Sequence, residues 1–113
     1  MHELSVTESL LEIALRHAQQ AGAYRIVQLN IVIGQYASIV DDSVQFYWDI
    51  IAKGTSAEQA RLNFRRIPAE MLCLNCDHKY IPGEEELECP NCGSAQVEII
   101  AGREFLLESI EVE

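Results

Sequence analysis

No stretch of the 113-residue chain approaches the roughly 18 consecutive apolar residues of a membrane-spanning helix, so no membrane association is expected. Basic residues are scarce, with 8 lysines and arginines against 18 aspartates and glutamates and a net charge of −10. A field of that sign opposes binding to a phosphate backbone, which makes nucleic acid a poor partner. The start Met1-His2-Glu3 has neither the basic residues nor the apolar core of a secretory signal, and the expected location is the cytoplasm. Internal repeats and low-complexity tracts are missing. So are a glycine-rich phosphate loop and any serine or spare cysteine placed with a histidine in a catalytic motif. The chain is therefore not expected to be an enzyme.

What is present is a set of short, periodic apolar runs broken by turn signals. Ser5-Val6-Thr7-Glu8 reads as a capping box ahead of Leu10, Leu11, Ala14, Leu15, Ala18 and Ala21, an amphipathic helix that Gly22 ends. Tyr24 to Ile33 alternates with period two and puts Val27, Leu29, Ile31 and Ile33 on one face of a strand closed by Gly34. Asp41 or Asp42 can cap a second helix carrying Val44, Tyr47, Trp48 and Ile51, with Gly54 as its stop. The Trp48 side chain, on that stripe, is expected to be buried. A further strand over 61–67 ends at Pro68, which cannot donate to a ladder. Residues 96–100 and 103–112, separated by Ala101-Gly102, look like a hairpin whose last strand returns to the first sheet. These elements predict an α+β fold in which residues 1–70 and 97–113 form two helices packed on a small β-sheet, interrupted by an inserted zinc-ribbon-like module over 71–96.

That module holds all four cysteines and few large apolar residues, so burial alone cannot fold it. Cys73-Leu74-Asn75-Cys76 and Cys89-Pro90-Asn91-Cys92 form C-x2-C-x12-C-x2-C, in which two tight turns present four thiolates to one tetrahedral ion. Zinc is the expected ion, and iron in a rubredoxin-like site has the same ligands. Disulfides are the poorer reading in a reducing compartment. With four thiolates committed the ion has no open position, which makes it structural. Gly93 supplies the open backbone that such knuckles use. His78, two residues past Cys76, is read as a polar neighbour, and the acidic run Glu84-Glu85-Glu86 with Glu88 as a solvated loop.

The other chemistry-bearing feature is Met1-His2. A terminal amine, the His2 amide nitrogen and His2 Nδ1 can close two fused chelate rings around Ni(II) or Cu(II), although a histidine at a chain end is also an ordinary polar residue. The start Met-His-Glu-Leu-Ser resembles that of the HypA/HybF family. The resemblance is carried further by Ile33-Gly34, by Lys53-Gly54-Thr55 with Glu58 and Ala60, by the paired cysteines with Cys89-Pro90-x-Cys92-Gly93, and by Gly102. It implies a nickel metallochaperone that delivers Ni(II) to the large-subunit precursor of [NiFe]-hydrogenase together with the GTPase HypB, and in some bacteria to urease. Carried over by position, it implies nickel at His2 with Met1 and Glu3 beside it, and structural zinc on Cys73, Cys76, Cys89 and Cys92. It also leaves room for a homodimer. Gln35 departs from the pattern, since many members carry an acidic residue there. Asp41 and Asp42 lie near a position where some members carry a further candidate acidic ligand, but capping is their expected role. Two rival readings are a zinc-ribbon adaptor in transcription or RNA processing, which the acidic module disfavours, and a rubredoxin-like electron carrier.

Overall fold

A computed structural model of the chain describes residues 3–83 and 87–113. Helix α1 spans Glu3–Gln20 and buries Thr7, Leu10, Ala14 and Ala18, a stripe at helical spacing. It begins two residues before Ser5, which is exposed inside the first turns and does not cap. The buried Thr7 hydroxyl bonds back to the Glu3 carbonyl instead. The expected stop is correct: Gly22 takes φ +67°, and the bonds Gly22 N–H to Gln19 O and Ala23 N–H to Ala18 O close the end as a Schellman motif.

Strand β1 (Ile26–Gly34) buries Leu29, Ile31 and Ile33 on the expected face, but Val27 is 39% exposed while Ile26 and Val32 are buried. The alternation fails at the C-terminal end, where the consecutive residues Ile31, Val32 and Ile33 are all buried, so both faces of the strand are covered there. Helix α2 (Asp41–Ile51) buries Val44 and Trp48, the latter at 1% exposure as its place on the apolar stripe requires. Its N-cap is Val40, in extended conformation and without a side-chain cap, so neither Asp41 nor Asp42 fills that position; both lie in the first turn, where their charge complements the helix dipole. Strand β2 runs Arg61–Ile67, with the bounds that the alternation and Pro68 predict.

Strand β3 (Glu70–Cys73) lies between β4 (Lys79–Tyr80) and β5 (Val97–Ala101) in one sheet, antiparallel to both, whereas β6 (Phe105–Val112) belongs to a second sheet ordered β2-β1-β6. The hairpin expected over 96–112 is therefore not formed. Its two runs pair in different sheets, β6 antiparallel to β1 through Arg25 and Glu113 at one end and Gly34 N–H to Glu104 O at the other. The chain divides into two compact units, one of residues 1–32, 38–65 and 105–113, the other of residues 33–37 and 66–104. All four cysteines belong to the second of these units, together with β3 and β5.

In this second unit the backbones of Gly34 and Gly102 touch. A Cβ on Gly34 would lie 2.2 Å from the Gly102 carbonyl carbon, and one on Gly102, which has φ +109°, would lie 2.5 Å from the Ala69 Cα. Neither obstacle is a flexible side-chain tip. Gly34→Ala is accordingly expected to destabilise the protein by about 3 kcal/mol or more, as overpacking against backbone does, with thermal unfolding as the check. The solvent-facing Gly83, which has nothing within 4 Å, should accept alanine with little change.

Candidate metal centre

The first pair of cysteines sits at the end of β3 and the second pair just before β5, and the pairing of Cys73 with Val97 brings the two loops together. Leu74 N–H to Gln96 O extends that ladder by one bond. The two loops then repeat the same backbone pattern. Cys73 N–H bonds to His78 O and Asp77 N–H to Cys73 O; Cys89 N–H bonds to Ser94 O and Gly93 N–H to Cys89 O. The residue after each second cysteine is left-handed, Asp77 at φ +61° and Gly93 at φ +74°. Glycine adopts that conformation without cost, and aspartate is among the few other residues that tolerate it.

This duplicated turn gathers the four sulfurs. Sγ atoms about 2.3 Å from one zinc would stand about 3.8 Å apart. Here Cys73 and Cys92 are separated by 3.6 Å, Cys76 and Cys89 by 3.6 Å, and all four Sγ atoms lie within 4.8 Å of one another. The cluster fits zinc. The sulfurs differ in surroundings, Cys73 and Cys89 being buried, Cys76 half-buried and Cys92 exposed. Burial pushes the Cys73 thiol up to about 11, while the Ser94 backbone N–H and the Asn75 side-chain amide pull Cys92 down to about 6. A buried sulfur of the first kind becomes a thiolate when a cation shares its cavity.

His78 stays apart from this cluster of cysteines, stacking on Tyr80 with ring centroids 5.9 Å apart. Sequence reasoning missed Asn75 and Asn91, whose amides donate to Cys92 Sγ at 3.7 Å and Cys76 Sγ at 3.6 Å. The available signal was an asparagine immediately before the second cysteine of both pairs.

Met1 and His2, two of the residues expected to hold nickel, lie outside the described residues. The third, Glu3, is half-buried, and its Oε2 accepts the Val40 N–H at 3.3 Å, which ties it to the start of α2 beside Asp41 and Asp42. Gln35 Oε1 accepts the Ala69 N–H at 2.9 Å. A carboxylate could accept the same bond, so the glutamine keeps that function and gives up only the charge.

The profile of a family described as "Hydrogenase/urease nickel incorporation, metallochaperone, hypA" matches residues 1–112. A protein named hydrogenase maturation factor HypA from Dehalococcoides mccartyi strain 195 is 48% identical over 113 residues, all of this chain and 95% of its own length. One of the same name from Acidithiobacillus ferrooxidans is 35% identical, with both chains covered in full. Among solved structures, the solution structure of the Ni metallochaperone HypA from Helicobacter pylori superposes with TM-score 0.69 at 27% identity, covering 99% of this chain and 97% of that one. Another, described as the solution structure of HypA protein, gives TM-score 0.78 at 26% identity, with 100% and 97% covered. None of the described helices is long and apolar enough to cross a membrane. Given a family match from Met1 through Val112 and relatives covered over nearly their whole length, the chain belongs to the HypA family of nickel-incorporation metallochaperones, maturation factors that are not enzymes.

Proposed function

We propose that the chain binds Ni(II) at its N-terminus and delivers it in the cytoplasm during maturation of [NiFe]-hydrogenase, with one zinc held structurally by Cys73, Cys76, Cys89 and Cys92. The Met1 amine, the His2 amide nitrogen and His2 Nδ1 form the core of the cargo site, with Glu3 beside it. The observation that carries this reading is the match over residues 1–112, which includes the Met1-His2-Glu3 start. The bond between Glu3 and Val40 supports it, because it fixes one of the three expected residues at the start of α2. Nitrogen and oxygen donors at a chain end suit a cargo that must leave, whereas four thiolates closed around an ion suit one that stays. The partners consistent with this role are a HypB-type GTPase and the hydrogenase large-subunit precursor.

The test is maturation itself. In cells lacking this gene, the intact chain should restore nickel to the large subunit, and a His2→Ala chain should not, although it accumulates with its zinc. Equal restoration by both would refute delivery through the N-terminus.

A further inference from the structure

The two asparagines beside the cysteines form a reciprocal arrangement. Asn75, in the first loop, donates its side-chain amide to Cys92 of the second; Asn91, in the second, donates to Cys76 of the first. The equivalent atoms lie at 3.7 and 3.6 Å, so the relation follows the duplicated backbone turn. The sulfurs reached are the second cysteines of each pair, which are also the two that solvent can reach; Cys73 and Cys89 are buried at 0% and 2% exposure. Buried sulfurs are protected by the fold. The half-buried Cys76 and the exposed Cys92 have a crossed amide instead.

We infer that Asn75 and Asn91 are positioning residues of the zinc centre, each clamping the opposite loop and shielding its solvent-facing thiolate from electrophiles that would strip the metal. The inference rests on the zinc reading of the four cysteines. A metal-bound thiolate keeps electron pairs with which it can attack, and a hydrogen bond donated to the sulfur withdraws part of that density. Because the amide comes from the other loop, it also resists separation of the two cysteine pairs. Both asparagines are exposed, so replacing them removes little packing.

The experiment uses the full zinc-loaded chain and N-ethylmaleimide. In that reaction a cysteine sulfur adds across the maleimide double bond and its bond to zinc breaks. Zinc release is followed with a chromogenic chelator, and the first sulfur modified is located by peptide mass mapping. Zinc content of the unmodified protein, measured first, tests the zinc reading separately. Asn75→Ala should speed modification of Cys92 about five- to tenfold, the scale of losing one ordinary hydrogen bond, and leave Cys76 unchanged. Asn91→Ala should do the reverse. Asn75→Asp has nearly the same shape but no donor, so it should protect no better than alanine. Uniform acceleration at both sulfurs, acceleration within the variant's own loop, or full protection by aspartate would overturn the inference.

Discussion

Replacing Cys73 with serine should reduce bound zinc from one per chain to none and loosen residues 66–104, while α1 and α2 persist. The reason is the uneven distribution of apolar burial. Leu10, Ala14, Ala18, Ile26, Leu29, Ile31, Val44 and Trp48 make a core for the unit that holds the helices. In the cysteine-bearing unit Ile33, Ala69, Met71, Cys73 and Cys89 are buried, but Leu74, Ile81, Leu87 and Ile100 are 41–65% exposed. A structural zinc supplies about 10–16 kcal/mol in small peptides, far more than so few buried side chains can. Hydrogen exchange resolved by segment is the suitable readout, with fast exchange over 66–104 and retained protection in α1. Global loss of helical circular dichroism would contradict the independence of the two units.

An even sharper loss is expected when residues are added ahead of Met1. The terminal amine becomes an amide and one chelate ring cannot form, although every side chain is retained. His2→Ala removes the imidazole and should do at least as much damage. Loss of a partner that merely supports a ligand costs roughly 10–100-fold in metal affinity, and loss of a ligand should exceed that. Zinc, held by remote thiolates, should be untouched by either change. Nickel binding should also fall below about pH 6, because protons compete for the imidazole and amine nitrogens that must coordinate in their deprotonated forms. Titration of the untagged, extended and His2→Ala proteins by calorimetry at two pH values measures all of this. Equal affinity in the extended protein would move the site to side chains alone.

Local sequence is enough where one residue decides the outcome. Gly22 ends α1 because it takes a left-handed conformation, Pro68 stops β2 because it has no N–H, and the two C-x2-C pairs assemble one centre. Family resemblance pointed to Gly34 and Gly102 without a reason; the structure supplies one in their backbone contact. Errors arose where the deciding partner is distant. The Ser5 capping box lies inside α1, where the Thr7 hydroxyl bonds back to the Glu3 carbonyl, and Glu3, bonded to Val40 37 residues away, lies in the helix ahead of it. The runs around Gly102 satisfy the local pattern of a hairpin, but register with β3 draws the first into another sheet. Asn75 and Asn91 reach each other's cysteines only once the two loops face one another, and no spacing within either loop announces that.

The proposed role requires one chain to carry two metals of different permanence, an exchangeable nickel cargo and a resident zinc. The most direct measurement is metal analysis of the untagged protein by mass spectrometry, before and after incubation with Ni(II) and again after dialysis against a mild chelator. One zinc per chain is expected throughout, joined by one nickel that the chelator removes. Displacement of zinc by nickel one for one, or failure to retain any nickel at neutral pH, would contradict it.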